Sequence, residues 1–179
     1  MIQYETNSSQ FFVHNKIYCE TITDQLKTLN ADCTGYCNSF GFDIEASWKR
    51  STLSYTLKII KAQTTENGVI IPMNSNDYVS TEVSVKGVNT KPEIVISRSA
   101  FKRFFISNLY KKLLPAPYYI NMNFSPERDF IDTLVMKIKT LNITKFKMNN
   151  GIVICKLNIA PEQPLALIED LEFIIKNCT

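Results

Sequence analysis

A chain of 179 residues and 20.5 kDa has the length of one compact domain, and 45% hydrophobic against 21% charged residues excludes a disordered polymer. Five Gly and seven Pro exclude collagen-like and linker-dominated chains. A formal net charge of +3 is too small to mark a nucleic-acid binder.

A short Phe-rich segment, Gln10–Val13, precedes a helix expected over Ile17–Leu29, where Tyr18, Cys19, Ile22, Leu26 and Leu29 share one arc. Asn30–Asn38 reads as a loop. Phe40–Ala46 alternates apolar with polar, the pattern of a strand with one wet face. Ser51–Ala62 is the next strand, with Leu53, Tyr55, Leu57 and Ile59 on one side. Glu66-Asn67-Gly68 signals a tight turn, after which Val69–Ile71 returns antiparallel. Tyr78–Lys86 and Pro92–Ser97 complete this run of strands.

Ser99–Leu114 switches to a helical pattern and stops at Pro115. Tyr118–Met122 fits a strand. Ser125-Pro126-Glu127 carries the N-cap, first-turn Pro and early acid of a helix start, and Phe130, Ile131, Leu134, Val135, Ile138 and Leu141 follow at helical spacing. Lys145–Met148 and Gly151–Ile159 flank Asn149-Asn150-Gly151, a second hairpin signal. Pro164–Cys178 closes the chain as an amphipathic helix. The expected fold is one α+β domain over residues 1–179: a predominantly antiparallel sheet built from hairpins, covered by about four amphipathic helices.

Processing and compartment follow from what the pattern lacks. The first sixteen residues hold no apolar run behind a basic start, so no secretory signal is expected. No stretch approaches the length of a membrane span, and no membrane partner is expected. Five cysteines, an odd number without framework spacing, suit a reducing, cytoplasmic setting. Sixteen Asn, 21 Ile, and 16 Lys against four Arg suggest an AT-rich microbial or viral genome.

Three groups of residues carry chemistry worth weighing. Cys33 and Cys37 form the one close cysteine pair, and His14 with Cys19 could complete a four-ligand metal set. Against this, Cys19, Cys155 and Cys178 all fall in phase with apolar neighbours, so no metal or other cofactor is expected. His14, the sole imidazole, lacks a partnering nucleophile motif, and no Gly-rich phosphate loop exists. Asp43 and Glu45 project from the same strand face and could hold a divalent cation in a hydrolase-like site; two solvated acids are the plainer account.

Charge layout is the third group. Residues 1–48 carry a net −4, residues 49–161 a net +10, and residues 162–179 a net −3. The bases of Ser99–Leu114 scatter round the helix, unlike a membrane-surface helix. In the last hairpin a two-residue Asn150-Gly151 turn sets Met148 opposite Val153 and Phe146 opposite Cys155. The other side then gathers Lys145, Lys147, Ile152, Ile154 and Lys156, with Lys145 facing Lys156. Edge protection is one account of these lysines; an acidic protein or a polyanion is the other. The leading expectation is a non-enzymatic binding or assembly module whose partner is another protein, an acidic one among the candidates; the alternatives are a divalent-metal hydrolase-like enzyme using Asp43 and Glu45, or a weak polyanion or nucleic-acid binder through the Lys145/Lys147/Lys156 hairpin.

Overall fold

The computed structural model describes residues 1–5, 8–62, 65–66, 69–70, 78–89, 93–103, 114, 116–123 and 128–177. Strand β1 (Ile2–Tyr4) leads into helix α1 (Gln10–Lys27), then β2 (Asp32–Asn38), β3 (Gly41–Arg50) and β4 (Leu53–Ala62). A short pair, β5 (Thr65–Glu66) and β6 (Val69–Ile70), runs antiparallel on its own. Then come β7 (Tyr78–Lys86), β8 (Ile94–Arg98), a single helical turn α2 (Ala100–Arg103) and β9 (Tyr118–Met122). Helix α3 (Arg128–Thr140), the hairpin β10 (Ile143–Asn149) and β11 (Ile152–Leu157), and helix α4 (Pro164–Asn177) complete the order.

Nine strands make one sheet in the order β1-β2-β3-β4-β7-β11-β10-β8-β9. The β1–β2 pair is parallel and all the others are antiparallel. The expected architecture is corrected on both counts. The sheet is mixed, because β1 returns to β2 through α1 and not through a hairpin. Sheet also dominates helix: three long helices are described, not four, and they cover one face only. Of the expected Ser99–Leu114 helix only Ala100–Arg103 is described as helical; residues 104–113, the start at residues 125–127 and Cys178 lie outside the described residues.

Two further corrections concern the N-terminal quarter. The helix begins at Gln10, seven residues ahead of Ile17, because the Ser9 hydroxyl accepts from the Phe11 amide at 3.2 Å and caps it. The Phe-rich segment is therefore its first turn, with Phe12 joining Asn15, Cys19, Ile22 and Leu26 on the buried stripe. Asn30–Asn38 is mostly strand: Asp32 to Asn38 pair with β3 residue for residue. Its inward positions are Cys33, Gly35 and Cys37, a weak apolar signal that only pairing can stabilise.

Alternation along each strand fixes which face is dry. Phe42, Ile44, Ala46 and Trp48 of β3, Tyr55, Leu57 and Ile59 of β4, and Val83 and Val85 of β7 are buried. Val153, Cys155 and Leu157 of β11, Phe146 and Met148 of β10, and Ile94 and Ile96 of β8 continue the layer. Helix α1 lies on it, with Tyr18 stacked on Phe42 at 4.8 Å, and α3 joins α4 through the Lys137–Asp170 ion pair. Leu134, Ile138, Leu171 and Ile174 are all inaccessible in this layer, as their helical spacing requires. Asn15, Ser39 and Thr81 are the buried polar residues among those described; the Asn15 amide donates to the Asn38 carbonyl at 3.0 Å, and Lys61 donates to its oxygen at 3.3 Å. Those bonds tie α1 to the end of β2 and to β4, and offset the cost of burying the amide.

Candidate functional site: the open face of the sheet

The opposite face holds the residues that the polar phase of each strand sends outward. The last hairpin has the register its turn demands. Asn150 and Gly151 both have positive φ, 50° and 73°, the signature of a two-residue turn matched to strand twist. Met148 thus faces Val153, Phe146 faces Cys155, Lys147 faces Ile154 and Lys145 faces Lys156. A bulge at Thr144, whose hydroxyl donates to the Lys156 carbonyl at 3.0 Å, lets Ile143 and Phe146 both point inward.

The sheet order gives these residues neighbours that no local pattern reveals. In one row across five adjacent strands stand Glu45, Lys58, Glu82, Lys156 and Lys145. Glu82 forms an ion pair with Lys156, which sits between it and Lys145. The like-charge contact expected across the hairpin is therefore offset on one side by an acid from β7. Lys145 and Lys147 have no acidic partner among the described residues. Lys145 is exposed and Lys147 partly so, and Ile152 keeps 37% of its surface in water. Edge protection fails as an account, because β10 and β11 lie inside the sheet with β7 and β8 on either side.

Asp43 and Glu45 share this face at its other end. The Lys58 ammonium is 3.5 Å from the Asp43 carboxylate, and Lys58 stands directly opposite Glu45. Asp43 is half-exposed and Glu45 exposed, both beside the same cation. Among the described residues no group of three or more His, Cys, Asp or Glu converges. Millimolar Mg²⁺ or Mn²⁺ should accordingly leave the thermal midpoint unchanged, since two carboxylates sharing a lysine lack the five or six oxygens such ions take. A saturable rise in midpoint that Asp43→Asn abolishes would instead place a cation between Asp43 and Glu45.

The cysteine and histidine candidates are dispersed into packing roles. Cys19 on α1 and Cys37 on β2 meet in the core, where burial first, and then each thiol's neighbours, push the Cys19 thiol well up. Burial also raises Cys37 and Cys33 and pushes Cys155 up to about 12. Such groups stay protonated and unreactive at neutral pH. Cys19, Cys33, Cys37 and Cys155 are free thiols. His14 is exposed on α1, its Nδ1 donating to the Gln10 carbonyl at 2.7 Å one turn back. Missing from the sequence reading were Lys58 and Glu82, whose polar phase was visible but whose place beside the hairpin depends on β7 pairing with β11.

No described helix is long and apolar enough to cross a membrane. No family model, no curated protein and no solved structure matches the chain.

Proposed function

We propose that this chain is a non-enzymatic protein-binding module whose docking surface is the open face of its sheet around Lys145, Lys147, Ile152, Ile154 and Lys156, and whose partner presents an acidic surface. One observation supports the reading: lysines held in the middle of a sheet, with an acid supplied to Lys156 alone, leave Lys145 and Lys147 as cations without an internal counterion among the described residues. Two isoleucines in the same patch add apolar contact area, which charge alone does not give. Complementary charge of this kind sets association rate and partner choice more than raw affinity.

Replacing Lys145, Lys147 and Lys156 together by serine should change folding stability by less than about 1 kcal/mol. The exposed Glu82–Lys156 pair contributes little, and its loss is offset by relief of the Lys145–Lys156 contact. Co-purification from the native cell, run side by side for the wild type and the triple variant, should lose the same acidic protein that added salt releases. A partner retained by the variant and insensitive to salt would refute this surface as the docking site.

A further inference from the structure

An acidic surface that suits these lysines exists on the chain itself. Six neighbouring strands, in the order β2-β3-β4-β7-β11-β10, form the middle of the sheet, and their open-face residues stand in registered rows. One row reads Thr34, Glu45, Lys58, Glu82, Lys156, Lys145. The adjacent row reads Asp32, Ser47, Thr56, Ser84, Ile154, Lys147. We infer that a second copy of this chain docks on the open face, sheet against sheet, about a two-fold axis running along the strands between β4 and β7. The inference rests on the reading of that face as a protein-docking surface, and it names the acidic partner.

Rotation about that line lays each row on its own reverse. Glu45 then meets the second copy's Lys156, Lys58 meets its Glu82, and Asp32 meets its Lys147, and symmetry makes each contact twice. Thr34 faces Lys145, Ser47 faces Ile154 and Thr56 faces Ser84. No like charges meet in either row. The registers also decide where the axis lies. Moved over β4 it would set Lys58 on Lys58, and moved over β7 it would set Glu82 on Glu82, like-charge contacts that count against both placements.

Reach and area agree with this pairing. Face-to-face sheets lie about 10 Å apart, a gap that a lysine and an acid close from opposite sides. Six strands about 4.8 Å apart span about 24 Å, and their central residues run for about 25 Å along the chain, so each copy contributes about 600 Å². The total of about 1,200 Å² lies at the lower bound for specific interfaces, which suits a reversible dimer. Asp32 is exposed and Lys147 partly so, and neither forms an ion pair among the described residues. Both are available to a second copy.

Asp32 and Lys147 give the decisive test because they cannot compensate each other within one chain. Five strand spacings, about 24 Å, separate them, well beyond a Debye length of about 8 Å. Sedimentation equilibrium of the full chain should show a reversible shift from 20.5 kDa toward twice that mass as concentration rises. Asp32→Lys alone and Lys147→Asp alone should each weaken association by about tenfold or more, since each sets two like pairs across the axis. An equimolar mixture of the two variants should associate within about threefold of the wild type, because both pairs are matched in the heterodimer and in neither homodimer. Unchanged far-UV spectra would show that both variants fold. A chain that sediments at 20.5 kDa throughout, variants that associate like the wild type, or a mixture no tighter than its components would each overturn the second copy as occupant. The wider reading is judged separately: a monomeric chain whose triple lysine variant still loses a salt-released acidic protein refutes this inference alone.

Discussion

Leu134→Ala should lower the free energy of unfolding by about 2–5 kcal/mol, and Phe146→Ala by about 3–5 kcal/mol, read from denaturant melts at constant slope. Leu134 is 1% exposed on α3 and Phe146 fully buried on β10, the strand beneath that helix. Ile138, Leu171 and Ile174 surround the same layer and are equally inaccessible. Truncating either side chain leaves a cavity that rigid neighbours on strand and helix cannot both collapse to fill. Against a total stability of about 5–15 kcal/mol, either loss is a large fraction. A loss below about 1 kcal/mol for Leu134→Ala would mean that α3 does not rest on the sheet by this face.

Gly41→Ala should be as damaging, through backbone and not through packing. Gly41 opens β3 with φ 154°, its amide donating to the Asn38 side chain at 3.1 Å. A methyl group there would lie 1.8 Å from the Lys61 carbonyl oxygen of β4. Contact with a backbone atom of a paired strand has no flexible side chain to absorb it, so the ladder must part locally. A cost of at least about 3 kcal/mol is expected. Gly151→Ala provides the comparison: its added methyl meets only the Val88 carbonyl, at 3.1 Å, and the left-handed backbone itself costs about 1–2 kcal/mol. Melts in which Gly41→Ala proved no worse than Gly151→Ala would show that β3 and β4 are further apart at that end.

Much of the middle and C-terminal fold could be read locally because each segment carries its own signal. Tyr78–Lys86 and Tyr118–Met122 have the bounds their alternation gives, and the Asn150-Gly151 turn dictates the register of the last hairpin. In the N-terminal quarter the body of α1 and the start of β3 were legible, but the first turns of α1 and all of β2 were not, for a physical reason. Asp32, Gly35 and Asn38 favour turns in isolation, and β2 exists because β3 supplies seven partners. Phe11, Phe12 and Val13 look extended until Ser9 is recognised as a cap. The candidate patch was half legible. Turn chemistry gave its membership, but its position inside the sheet, and the acid beside Lys156, depend on pairings between distant strands.

That insertion has a consequence for how the chain reaches its fold. The β10–β11 hairpin separates β7 from β8, pairing Val153 with Val85 on one side and Met148 with Ile94 on the other. Five strands, β1 to β4 and β7, can assemble early, and β8 with β9 can form a hairpin of its own. Neither group joins the other until residues 143–157 have left the ribosome and slotted between them. Contact order is therefore high where it counts, at the seam, and closure is a late and slow event. Until then β7 and β8 each present one unpaired rim, the kind of surface on which incomplete chains aggregate. The hairpin that carries the lysines is thus also the keystone of the sheet.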